Sequence, residues 1–287
     1  MAKTTSTQKS RTNTRSYKRG DAPETLKNST FFKRLSFQLT AEQKHFRDEI
    51  YKKENKIIFC NSRAGSGKNT VAIATACAMV EYGLYDEILY CFSLNNNFQS
   101  ILGLLPGGVE DKERAFYEPC LEALVECGYF PEMVVKELNT DKQGSAFVSC
   151  KSHTFLRGTN IGDRTILIID EAQNFYTDEL KKVLTRVKDG AKVIVIGHDG
   201  QCDLIKNRDN SGFVPYLNWF KGRDGVAVCE LTENHRGWVS RIADEFDPNY
   251  NKKEDVPYKV GFGGEKRAEN NEEKEFEDDK AGESGNQ

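Results

Sequence analysis

Two stretches of this 287-residue chain carry residues whose types and spacing can do chemistry. The first is Ser62-Arg63-Ala64-Gly65-Ser66-Gly67-Lys68-Asn69-Thr70, set between a short apolar run and an Ala-rich one. Glycines at this spacing let successive backbone N–H groups point into one concavity. The start of the following helix adds partial positive charge, and Lys68 can reach the far end of a bound anion. That is the chemistry of a phosphate loop of the form G-x-x-x-x-G-K-[S/T], so Ala64, Gly65, Ser66, Gly67, Lys68, Asn69 and Thr70 are the candidate nucleotide-binding residues. Two positions depart from the pattern: Ser62 stands where the first glycine would be, and Asn69 where a hydroxyl would bind Mg²⁺. The second stretch, Ile166-Leu167-Ile168-Ile169-Asp170-Glu171, is an apolar run that ends in two carboxylates. Carboxylates at the carboxyl edge of a parallel sheet face the ligand crevice. Asp170 is therefore the candidate holder of Mg²⁺, mostly through water, and Glu171 the candidate to orient or polarise an attacking water.

Each stretch alone has a plainer reading. Glycines punctuate many strand-to-helix turns, and paired acids often cap the next helix. Jointly, each in its strand context, they point to phosphate binding. With Asp170, Asn69 completes the candidate metal set, but its neutral amide oxygen replaces a hydroxyl in a site that demands near-octahedral oxygen geometry. Thr70 follows but is turned ~100° around the helix. The expectation is weakened Mg²⁺ binding, or binding through one more water, and slow hydrolysis.

These residues need a sheet to hold them. The pattern predicts a helix from about Thr40, with Glu42 and Gln43 in its first turn, and a strand over Lys56 to Cys60. It predicts an Ala-rich helix over Lys68 to Tyr82 and further strands at Glu87–Phe92, Ala146–Cys150, Thr165–Ile169, Lys192–Ile196 and Val226–Glu230. Helices fit Lys112–Cys127, Asp178–Arg186, Phe213–Phe220 and Val239–Phe246. Six strands with interleaved helices read as one α/β domain, a parallel sheet flanked by helices.

Composition agrees. With 38% hydrophobic and 30% charged residues, the chain can bury one good core or two small ones. Its longest apolar runs fall far short of the ~20 residues that cross a bilayer. The first twenty residues carry six bases and no acid, which does not suit a secretory signal, so the reading places the chain inside the cell, off the membrane. Eight cysteines lie along apolar segments with no C-x-x-C pair, which argues for buried free thiols and against a structural zinc. The net charge of −3 is a sum of unlike parts: +6 in residues 1–20, −5 in residues 265–287 and −4 between them. Residues 1–30 read as a basic disordered tail, 31–250 as the globular domain and 251–287 as an acidic disordered tail.

From roughly Thr40 to Phe246 the chain resembles the PhoH-like proteins, P-loop ATPases related to the first RecA-like domain of superfamily 1 helicases. The resemblance rests on Ala64-Gly65-Ser66-Gly67-Lys68, Leu102-Gly103-Leu104-Leu105-Pro106-Gly107, Leu156-Arg157-Gly158-Thr159-Asn160 and Asp170-Glu171-Ala172-Gln173-Asn174. It extends to Leu184-Thr185-Arg186 and to Gly197-His198-x-x-Gln201-x-Asp203-Leu204. It implies a P-loop NTPase fold, ATP and Mg²⁺ as cofactors, and a cytoplasmic place in a bacterial or phage-infected cell. It also implies roles: Lys68 and Glu171 as catalytic residues, Gln201 as a γ-phosphate sensor, and Gln43 as the reader of the adenine edge. A solvated helix glutamine and a turn residue are the rival readings of Gln43 and Gln201. Arg157, Arg186, Arg236 and Arg241 are candidates for phosphate or transition-state contact, with Arg236 preferred. His198 stands where the family usually has an aspartate, and Ser93 where many relatives carry an arginine.

Three functions compete. The first is an ATPase coupled to RNA or single-stranded DNA; with room for only one RecA-like core, it would work as a homo-oligomeric ring or with a partner, an arginine such as Arg236 completing a neighbour's site. The second is a nucleotide-binding interaction protein with little hydrolysis, motivated by Ser62, Asn69 and His198. The third is a nucleoside kinase, disfavoured by the missing C-x-x-C zinc ligands.

Overall fold

The computed structural model describes residues 22–33, 35, 37–94, 109–139, 146–156, 158–202, 204 and 210–245. Six strands form one sheet: β1 (Ile57–Ser62), β2 (Glu87–Phe92), β3 (Val148–Ser152), β4 (Thr165–Ile169), β5 (Lys192–Gly197) and β6 (Val226–Leu231). They lie in the order β3-β2-β4-β5-β1-β6, and every pairing is parallel. The central strands β4 and β5 are buried at every position, which is why they read as continuous apolar runs rather than alternating ones.

Among the described residues the helices are α1 (Thr30–Lys33), α2 (Ala41–Tyr51), α3 (Lys68–Glu81), α4 (Val109–Glu126), α5 (Pro131–Val134), α6 (Thr177–Leu184), α7 (Phe213–Phe220) and α8 (Trp238–Asp244). The two-residue period of the strands sorts their side chains onto two faces. Ile58, Cys60, Tyr90, Ile168, Ile194 and Ile196 join α2, α3 and α4 in one core. Phe59, Leu167, Ile169 and Val195 pack with Phe175, Leu180 and Phe213 on the other face. Helix α3 is buried from Val71 through Met79, sandwiched between the sheet and the helices α2 and α4. Seven of the eight free cysteines are buried and Cys202 is half-buried. No helix of the described residues is long and apolar enough to cross a membrane.

Strand β1 runs two residues past its expected end, carrying Asn61 and Ser62 into the sheet beside β6. Residues 22–30, which the sequence places in the basic tail, contribute to the core. Leu26 is fully buried in the core that α2 and α3 also enter, Ser29 Oγ lies 2.6 Å from Tyr82 Oη, and Tyr51 Oη donates to the Pro23 carbonyl at 2.5 Å. A lone leucine among polar residues gives no periodic signal, so only the partner surface reveals its burial. The rest of the basic tail, residues 1–21, the end of the expected domain, 246–250, and the acidic tail, 251–287, fall outside the described residues, as does the stretch Gly103–Gly107.

Candidate functional site

The topology places the two chemical stretches side by side. Strand β5 lies between β1 and β4, so the loop leaving β1, the acids leaving β4 and the turn after β5 all open on the same carboxyl edge.

Between β1 and α3 the chain turns through Gly65 and Gly67, with φ of 72° and 75°, a region that L side chains avoid. Space forbids side chains there as well. A Cβ on Gly65 would stand 2.6 Å from Asn234 Oδ1 and 2.8 Å from Arg236 Cγ; one on Gly67 would stand 2.7 Å from Gln43 Nε2. The loop is thus held from both sides, by α2 and by the segment after β6, whose His235 N–H donates to the Gly65 carbonyl at 2.8 Å. No side chain caps the N-terminus of α3, which leaves its first N–H groups for an anion.

The acids are arranged unequally. Asp170 is 2% exposed, and its Oδ2 accepts hydrogen bonds from Asn69 Nδ2 at 2.8 Å and from the Tyr90 hydroxyl. Its Oδ1, together with Asn69 Oδ1, is buried without a hydrogen-bond partner. Burial, then the neighbouring Glu171 charge, push the Asp170 carboxyl up to about 6, against the pull of Lys68 and the Tyr90 hydroxyl. Glu171 is half-exposed and stands at φ 48°, the one non-glycine with positive φ among the described residues. Such strain persists only where the surroundings over-determine it, typically at functional positions. Glu171 Oε1 lies 3.2 Å from Lys68 Nζ, while Oε2 accepts from Gln173 Nε2. Gln173 is buried, and its Oε1 accepts from the His198 N–H at 2.9 Å, tying Glu171 to the end of β5.

A cleft of about 720 Å³ opens on Lys68, Asn69 and Glu171, while the buried Asp170 and Gln173 are not among its lining residues. Its floor is the loop from Ala64 to Thr70, one wall is Thr40 and Gln43, the other is Glu122 and Glu126 of α4, and Glu171, Gln201 and Arg236 complete the rim. Thr70 faces α4, donating to Glu126 Oε2 at 2.8 Å, and so turns away from Asp170. Gln43 is buried, not solvated. Its Oε1 accepts from the Thr40 N–H at 3.0 Å and its Nε2 donates to the Ser66 carbonyl at 2.9 Å. It closes a capping box for α2 and braces the phosphate loop, so both ends of the amide are engaged within the protein.

Arg236 lies in the cleft of its own chain, its stem against Gly65. Arg241 lines a neighbouring hollow of about 340 Å³ with Arg63 and His235. Arg186 follows α6, where its carbonyl accepts from the Ile161 N–H, and does not line the cleft. Arg157 and Asp203 lie outside the described residues. Two residues of the site, Tyr90 and Gln173, have no role assigned by sequence. Gln173 stands in a motif that carries the family resemblance; the signal for Tyr90 is a lone hydroxyl in the otherwise apolar end of β2.

The donor set fits a hard cation. Asn69 Oδ1 and Asp170 Oδ1 are oxygens on hydrogen-bonded neighbours, both buried and both unpartnered, and Mg²⁺ takes oxygen ligands.

The family model for PhoH-like proteins matches residues 37–242. The chain is 30% identical to the protein PhoH2 of Bacillus subtilis, over 63% of this chain and 40% of that one. It is 29% identical to a PhoH-like protein of Mycobacterium leprae, over 72% of this chain and 57% of that one. It thus spans about half the length of these relatives. Among solved structures, the large terminase of a thermophilic bacteriophage is similar over 68% of this chain and 46% of its own, with TM-score 0.44 and 13% identity. With its six-stranded parallel sheet, its phosphate loop and a family match over most of its length, this chain belongs to the PhoH-like protein family.

Proposed function

We propose that the cleft binds ATP and hydrolyses it to ADP and phosphate, in connection with RNA or single-stranded DNA. The observation that carries this reading is the meeting of the two stretches: Lys68 at 3.2 Å from Glu171, and Asn69 at 2.8 Å from Asp170. The domain responsible spans residues 31–250, extended at its start by the segment around Leu26.

The residues divide the work as follows. Backbone N–H groups from Ala64 to Asn69 and the start of α3 hold the polyphosphate, and the Lys68 ammonium meets its outer oxygens. The ion pair with Glu171 is a placeholder: an arriving phosphate gives Lys68 a stronger partner and frees Glu171 Oε1. Gln173 keeps the other carboxylate oxygen fixed, so the freed one is aimed rather than mobile and can orient a water for attack. Asn69 and Asp170 would hold Mg²⁺, which when bound neutralises charge on the phosphate oxygens. Gln201 reaches the cleft as a neutral donor, and Arg236 offers a guanidinium in its own chain's site.

The test is ATP turnover with and without single-stranded nucleic acid. Wild type turns over ATP and is stimulated, while Lys68→Ala and Glu171→Gln lose turnover. Unchanged turnover in both variants overturns the reading. Asn69 in the metal position favours a second reading, a nucleotide-binding protein with little hydrolysis. Magnesium-dependent binding without turnover in wild type, and turnover restored in Asn69→Thr, would select it.

A further inference from the structure

Tyr90 is fully buried on β2, beside Cys150 of β3 and Ile168 of β4. Its surroundings are apolar and thiol-bearing, a setting that phenylalanine would fill without a hydroxyl to satisfy. The hydroxyl donates to Asp170 Oδ2, the same oxygen that receives Asn69 Nδ2. Two donors from different elements, β2 and α3, thus converge on one carboxylate oxygen and leave the other without a partner. The carboxylate in turn fixes the Asn69 amide, since only its nitrogen can face an anionic oxygen; Oδ1 of Asn69 is the end left over.

We propose that Tyr90 is a positioning residue for the cation site: its hydroxyl pins Asp170 through Oδ2, so that Asp170 Oδ1 and the Asn69 amide oxygen are presented to Mg²⁺ as a fixed pair. The device explains how a chain with an amide in place of the usual hydroxyl still offers an ordered oxygen pair. Thr70 cannot substitute, because its hydroxyl is engaged with Glu126. This inference rests on the nucleotide-binding reading above, and its readout is separable from turnover.

The experiment is titration calorimetry of ADP binding to the full chain, in excess Mg²⁺ and in EDTA, for wild type and Tyr90→Phe. Partners that hold a metal-ligating carboxylate are worth about 10- to 100-fold in metal affinity. Tyr90→Phe is therefore expected to lose about 10- to 100-fold of the Mg²⁺ enhancement of ADP affinity while its affinity in EDTA stays at the wild-type value. In an Asp170→Asn background, adding Tyr90→Phe changes the enhancement no further. An undiminished enhancement in Tyr90→Phe, or an equal loss in Mg²⁺ and in EDTA, overturns the inference and leaves the nucleotide reading standing. Wild type that binds no ADP under either condition overturns both. Should Tyr90→Phe fail to fold, folding restored by Asp170→Asn shows that the hydroxyl serves the carboxylate; failure in both backgrounds assigns it to packing and overturns the inference.

Discussion

The two edges of the one sheet treat their charges in opposite ways. At the amino edge, where β4 and β5 begin, Lys192 and Arg164 both have matched partners. Lys192 is buried, yet its ammonium donates to the carbonyls of Lys52 at 2.7 Å and Asn55 at 2.6 Å. Arg164 grips Asp86 with two hydrogen bonds and reaches the Gly83 and Leu84 carbonyls besides. At the carboxyl edge, Asp170 Oδ1, Asn69 Oδ1 and Ser66 Oγ are buried without partners, and Glu171 holds a left-handed backbone. Unpaired buried polar atoms each cost about 1–3 kcal/mol. At one edge the buried polar groups find their partners within the protein; at the other, on the proposed function, the nucleotide and its cation would supply them.

Substitutions separate the edges, beginning with the largest expected effect. At the carboxyl edge, Glu171→Gln is expected to reduce ATP turnover by ~10²- to 10⁴-fold in a steady-state assay, with thermal stability close to wild type. At the amino edge, Lys192→Met strands two carbonyls, and denaturant unfolding should show a loss of about 2 kcal/mol with ADP affinity unchanged. A result in which Lys192→Met abolished binding while leaving stability intact would erase the distinction between the edges.

Lys192 also has a pH signature. Burial, and then the nearby Lys56 charge, lower its pKa from 10.5 to about 8. Between those values the unfolded chain holds a proton at this site that the folded chain does not. The Lys192 contribution to stability therefore rises with pH from about 8 toward 10.5. Unfolding curves of wild type and Lys192→Met across that window should diverge in slope, wild type gaining relative to the variant. The smallest effect belongs to Arg164→Ala: Arg164 is half-buried but its partner Asp86 is exposed, so the loss should stay within about 1 kcal/mol.

The strands are legible in the sequence because a sheet covered on both faces writes itself as apolar runs, and β4 and β5 are such runs. The phosphate loop and the acid pair are legible because their chemistry demands particular residues in fixed order. Partners supplied by other elements are not. Leu26 is buried by surface that sequence cannot display, and Tyr90 meets Asp170 only because β2 lies beside β4. Gln43 stands out by its context, but its part as brace between α2 and the loop needs the fold. Among the arginines the motif favours Arg236, read from sequence as completing a neighbour's site; that its stem lies against Gly65 of its own chain is visible only in the fold.

The central claim is that the carboxyl edge is completed by a nucleotide. Its most direct measurement is the equilibrium affinity of wild type and Lys68→Ala for ATP with Mg²⁺, by calorimetry, with unfolding midpoints recorded for both proteins. The account predicts that wild type binds, that its midpoint rises with ATP concentration by mass action, and that Lys68→Ala folds normally but loses both responses. A wild-type midpoint indifferent to ATP, with no heat of binding, would contradict it.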